Sequence, residues 1–208
     1  MYHLERILAN ISDEEAFALV IFGIYVIWFL LFLISMLIRH ILLAFPLYIM
    51  AEKAGYNYPF LAFVPFANYY VAHILPIKEY SYLGMFNTYD RYKGFWLYIC
   101  LKYVIRIVVS IALSVFSIIP IISILLSLFG YAVNLILIFA GGAAKAIMIS
   151  DLLMTYDKNN KGLAIALGVL SVFIPLVFPI SCMVYCRKEP VFGFGNFYVP
   201  QNIQNYYE

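Results

Sequence analysis

Charge is what this 208-residue chain has least of. Lys, Arg, Asp and Glu make up only 12% of it, about half the roughly 25% usual in soluble domains. So few polar side chains cannot coat a water-facing surface, which excludes a soluble globular domain, and disorder needs the opposite balance. Cysteine is scarce too. Cys100, Cys182 and Cys186 are an odd number and make no disulfide framework. Cys182 and Cys186 fall on one helical face, but two thiols without a neighbouring His or third Cys are a poor metal site. They read as inert. The net charge of +2 is too small to call for a nucleic-acid partner.

Catalytic signatures are also missing. There is no HExxH, no G-x-S-x-G and no phosphate-binding glycine loop. His3, His40 and His73 have no paired acidic motif, and no carboxylate lies deep in an apolar run. These absences predict a protein that is not an enzyme and uses no cofactor or metal.

What the chain does have is apolar sequence: 65% of its residues are apolar, and 19% of the whole chain is aromatic. The solvent it is built for is lipid. Residues 1–12 place Leu4, Ile7, Leu8 and Ile11 on one face, a short amphipathic helix suited to a membrane surface. Glu5, Asp13, Glu14 and Glu15 stand where a cleavable signal would be basic, so the run that follows reads as an uncleaved anchor. Ser12 and Glu15 form a capping box, and 16–38 carries no charge and is long enough to cross a bilayer. Apolar character continues over 41–51 as an extension of that helix, kinked near Pro46. Residues 59–77 hold Pro59, Pro65 and Pro76. Proline frees backbone groups that lipid cannot satisfy, so a broken re-entrant or interfacial segment fits better than a crossing.

Residues 78–93 read as a polar, Tyr-rich loop, and 95–150 suffices for two crossings. A span from Phe95 would bury Lys102 and Arg106, at about 2.5–3.5 kcal/mol each on insertion scales. A span over 107–127 avoids that cost and is the expected register. The remaining spans fall at about 131–150 and 163–185, the last containing Pro175 and Pro179. The expected fold is therefore an all-α integral membrane helical bundle with about four transmembrane helices. Residues 1–186 form one transmembrane domain, 41–77 is interfacial or re-entrant, and 187–208 is an aromatic-rich extended tail.

Four spans with the N-terminus outside put Arg39, Lys53, Lys78, Arg91, Lys93, Lys102, Arg106, Lys158 and Lys161 inside, against Arg6, Arg187 and Lys188 outside. That agrees with the positive-inside bias. Arg187 and Lys188 are the weak point: if Pro175 and Pro179 fold the last segment back, the C-terminus lies inside.

The stretch Ala51-Glu52-Lys53-Ala54-Gly55, with Pro59, Phe60, Ala62, Pro65 and Asn68 after it, resembles a family of small polytopic bacterial membrane proteins of unknown function. Asp151-Leu152 ahead of the loop Lys158 to Gly162 resembles that family's loop before its final span. The resemblance covers about 110 residues in two blocks. It implies a multi-pass protein of the bacterial plasma membrane, and no activity.

Several residues are candidates for a site. Gly55 can close the first helix in the left-handed conformation, with Glu52 and Lys53 at headgroup level as part of a polar site that Asn68 and His73 complete. Broken helices in transporters expose backbone groups to ions and solutes. Asn134 and Lys145, eleven apart, share a face of the third span, where Gly141, Gly142, Ala143, Ala144 and Ala146 permit close packing. Lys145 could pair with Asp151 or Glu52. Lys102 and Arg106 suit lipid headgroups. In the tail, Phe192, Phe194, Phe197 and Tyr198 suit either an aromatic belt or docking on a partner. The leading expectation is a non-catalytic subunit, a scaffold or accessory component bound to other membrane proteins or to copies of itself. A small oligomeric transporter or channel, and an immunity-type membrane protein, are the alternatives.

Overall fold

The computed structural model describes residues 13–76, 79–116 and 120–191. The expected surface helix over 1–12 and the tail residues Phe192, Phe194, Phe197 and Tyr198 lie outside the described residues. The chain forms two compact units, Met1–His40 and Ile41–Glu208.

The first unit holds most of helix α1 (Asp13–Lys53). Its apolar residues cover every face rather than one stripe, which is the pattern of a helix solvated by lipid. Phe17, Trp28 and Phe32 are exposed, and so is every large apolar side chain between Phe17 and Ile38. From Ile41 onward α1 belongs to the second unit, and its character changes. Leu43, Ala44, Leu47, Met50 and Ala51 are buried along one face. The expected extension of the first span is therefore there, and the helix runs unbroken through Pro46. Gly55, at φ 73°, ends it. Gly55 N donates to Glu52 O and Tyr56 N to Ala51 O, the paired bonds of a Schellman stop.

The proline-rich stretch is broken, as its sequence implies. A 3-10 turn (Pro59–Phe63) leads to the short helix α2 (Ala67–Ile74), with Phe66 at φ 68° between them. The expected loop over 78–93 instead contains an antiparallel hairpin. Strands β1 (Tyr80–Tyr82) and β2 (Phe86–Thr88) pair Tyr80 with Thr88 and Tyr82 with Phe86. Leu83 and Gly84 turn the chain at positive φ.

Helix α3 (Arg91–Ile99) is capped by Asp90, whose carboxylate accepts from Tyr92 N. It passes through a π turn (Cys100–Val104) into α4 (Ile105–Phe116). Among the described residues the membrane-length stretch here is Arg91–Val115, which begins well before the expected register of 107–127. Helix α5 is described over Pro120–Tyr156. Lys102 and Arg106 lie within the apolar stretch that the lower-cost register had excluded.

The segment expected as a single span over 163–185 is broken in its middle. It is two helices, α6 (Lys161–Phe173) and α7 (Val177–Tyr185). Ile174 between them is extended, the conformation favoured for a residue that precedes proline, here Pro175. Among the described residues three helices are long and apolar enough to cross a membrane: Phe17–Lys53, Arg91–Val115 and Leu128–Tyr156. Among the described residues the fold class is all-α apart from the one hairpin.

Small residues set the packing of the second unit. A Cβ on Gly168 of α6 would come 2.5 Å from Ala146 O of α5, and one on Gly142 would come 2.9 Å from Val172. The core between them joins the end of α1, α2, α7 and the last third of α5, with Leu47, Met50, Ile149, Leu152 and Phe178 at its centre.

Candidate functional site

The interior of the second unit contains a polar chain built on aromatic rings. Its anchor is an ion pair that no local motif announces. Arg91, at the first position of α3, reaches Asp151 on α5 at 3.0 Å, and both side chains are almost wholly buried, at 4% and 7% exposure. Arg91 Nε donates to Pro76 O at 2.9 Å, and its guanidinium lies 5.5 Å from the centroid of the Tyr80 ring. One side chain thus ties the chain just after α2, the hairpin, α3 and α5 together.

His73 lies next along the chain of rings. It is fully buried, with Nδ1 2.8 Å from Tyr69 O. That contact makes Nδ1 the protonated nitrogen of the neutral ring, because a carbonyl only accepts. Among the described residues Nε2 finds no hydrogen-bond partner, and neither does the hydroxyl of Tyr80. Burial holds the imidazole well below its usual range, at about 4, with the Arg91 cation pushing the same way. Burial raises the Tyr80 phenol above its usual value. His73 packs against Tyr98, Phe95 and Tyr80 with ring centroids 5.4, 5.7 and 6.1 Å away.

Tyr98 links this interior to a second cation. It stacks on Tyr69 at 5.7 Å and accepts a 2.6 Å hydrogen bond from Lys102 Nζ. The Lys102 ammonium lies 5.3, 5.1 and 5.1 Å from the ring centroids of Tyr69, Tyr98 and Tyr103. The ring faces of Tyr69 and Tyr103 and the phenolic oxygen of Tyr98 offset the loss of hydration of that charge. This is how the structure accommodates the lysine that cost alone had kept out of the span. Arg106, one turn on, is exposed.

The other expected site residues are spread rather than gathered. Glu52 is exposed. Lys53 donates to Glu189 at 2.9 Å and to Arg187 O at 3.1 Å. Asn68 is buried on α2 and accepts from Tyr69 N through its own side chain. Asn134 donates to Gly130 O. Lys145 donates to Ser171 O at 2.8 Å, placing a cation at the carbonyl-rich end of α6, where a helix dipole favours it. The partner shown for Asp151 is Arg91, where the sequence suggested Lys145. Lys188 bonds Asp157 and, with Asn160, holds that carboxyl down at about 2. Val191 N donates to Thr155 O.

Sequence reasoning missed Arg91, Tyr69, Tyr80 and Tyr98. Arg91 was counted only as a loop charge, and its partner is sixty residues away. One signal was present: Tyr80, Tyr82 and Gly84 alternate like a hairpin strand entering its turn. Among the described residues no group of three His, Cys, Asp or Glu side chains could hold a metal ion. Comparison with protein-family models, with curated proteins and with solved structures finds no match.

Proposed function

We propose that the protein is a non-catalytic integral membrane subunit, a scaffold or accessory component whose partner is another membrane protein or a second copy of itself. One contrast carries the reading. Interior cations of the second unit are engaged within the fold: Arg91 by Asp151, Lys145 by Ser171 O, Lys102 by Tyr98. Residues 17–38 of α1, in the first unit, expose every large apolar side chain they have. The chemistry is spent on holding the body together, and the apolar surface is what remains to be recognised.

A three-span topology accompanies this proposal. The Arg91–Asp151 pair, the Tyr156 hydroxyl on Met50 O, Lys53 on Glu189 and Lys188 on Asp157 join the ends of all three membrane-length stretches. They support placing Lys53, Arg91, Lys93, Lys158, Lys161, Arg187 and Lys188 on one side. By the positive-inside bias that side is the cytoplasm, with the N-terminus outside and α6–α7 a re-entrant hairpin. The C-terminus is then inside. The motif resemblance around Ala51–Gly55 favours a bacterial plasma membrane.

The test is purification in mild detergent: a partner or a second copy at fixed stoichiometry supports the subunit reading. Ion or solute flux in liposomes that is lost on Lys145→Ala or Asn68→Ala contradicts it. The same flux would favour the transporter reading, for which the broken segment 59–74 and the buried His73 are the specific observations.

A further inference from the structure

The geometry points to a binding site for the phosphate of an anionic phospholipid at Lys102 and Arg106. The two cations lie in the membrane-length stretch Arg91–Val115, and no ion pair between either of them and a carboxylate is found among the described residues. The rings hold the Lys102 ammonium without neutralising it, and an exposed guanidinium in that setting is stabilised by an anionic group or by reaching the interface.

Depth decides where they reach. Measured from the helix end at Phe116, Lys102 lies about 21 Å away and Arg106 about 15 Å, at about 1.5 Å per residue. Side chains on a helix lean toward its N-terminus, here toward Lys102 and away from Phe116. With Phe116 near one hydrocarbon boundary and a core of about 30 Å, the Lys102 head arrives near the opposite headgroups, and Arg106, which starts at mid-depth, extends toward them from below.

The site is built rather than incidental. Tyr69, Tyr98 and Tyr103 come from α2, α3 and the π turn and enclose Lys102 Nζ. Tyr98 is itself almost fully buried. The cage fixes the ammonium by its rings and by one phenolic acceptor, and rings supply no counter-anion. Lys102 is only half-buried, so one side stays open. The π turn falls on Lys102 itself, and such local widenings recur at functional positions. Arg106, exposed one turn away, adds a guanidinium fork that suits a phosphate.

The assignment rests on the membrane reading of this helix and not on the partner reading. The experiment is lipid retention by the full chain in nanodiscs of phosphatidylcholine doped with phosphatidylglycerol. Two cations serving one phosphate are expected to favour the anionic lipid by up to about 20- to 30-fold, and Arg106→Gln to reduce that to about fivefold. Lys102→Gln should remove the rest, with Lys102→Arg restoring part of it. Arg106 is exposed, so its variant reports on the site even if Lys102→Gln fails to fold. Equal retention of phosphatidylglycerol by wild type and Arg106→Gln overturns the proposal. Displacement of the lipid by millimolar inorganic phosphate alone overturns it too, because the site would then take free phosphate. A chain that needs detergent but shows no headgroup preference sinks the lipid site and leaves the membrane reading standing.

Discussion

Breaking the Arg91–Asp151 pair should be among the most damaging changes available in this chain, and replacing both partners together should not be. The two side chains meet at 3.0 Å with 4% and 7% exposure. At an effective dielectric of about 20, charges about 4 Å apart attract by about 4 kcal/mol. That gain is largely offset by the cost of removing both from water. Asp151→Ala removes the attraction and leaves the desolvated guanidinium, so it should cost about 3–5 kcal/mol. Arg91→Met should cost a similar amount, because it also vacates Pro76 O and the face of Tyr80. The double change Arg91→Met with Asp151→Leu leaves no buried charge and should lie within about 1–2 kcal/mol of wild type. The assay is reversible unfolding in mixed micelles, read as a double-mutant cycle. A cost below about 1 kcal/mol for Asp151→Ala would mean that the pair behaves like an exposed one. The buried polar chain would then not be the clamp described above.

Three further predictions follow from other parts of the body. His73 is held at about 4 when folded, against 6.5 for the free group, so the unfolded chain binds the extra proton first. Stability should be flat above about pH 6.5 and decline as pH falls toward about 4, by up to tenfold in the unfolding constant per pH unit; His73→Phe should flatten that slope in an unfolding titration. Gly168→Ala should cost about 1–3 kcal/mol by driving α6 off Ala146 O and Ser150. Gly162→Ala, with open space around its position, should be neutral or stabilise by about 0.5 kcal/mol, and thermal melts of the two report the difference. Tyr98→Phe keeps the ring under Lys102 but removes its 2.6 Å acceptor, for an expected loss of about 1 kcal/mol in the same melts.

Features set by local physics were legible in the sequence. The lipid solvent followed from the shortage of charge, the stop at Gly55 from a glycine that tolerates positive φ, and the broken segment after it from three prolines. What failed was arithmetic on single residues. Lys102 looked too costly to bury because the three tyrosines that offset its charge are supplied partly by a helix thirty residues upstream. Residues 163–185 looked like one span because their composition is apolar throughout, although Pro175 disfavours helical backbone at Ile174. The site was least legible of all. Arg91 and Asp151 are separated by sixty residues, and only the antiparallel course of α3–α4 and α5 brings them to one level. Hydrophobic periodicity carries no record of that pairing.

The central claim is that residues 17–38 of α1 are a surface for another protein in the membrane. A photoreactive amino acid placed in turn at Ile24, Trp28, Leu31 and Met36, in cells making the full chain, tests it most directly. The account predicts a discrete protein adduct of one size, at positions that share a helical face. Adducts to lipid alone at all four positions, from a chain whose Arg91–Asp151 body remains folded, would contradict it.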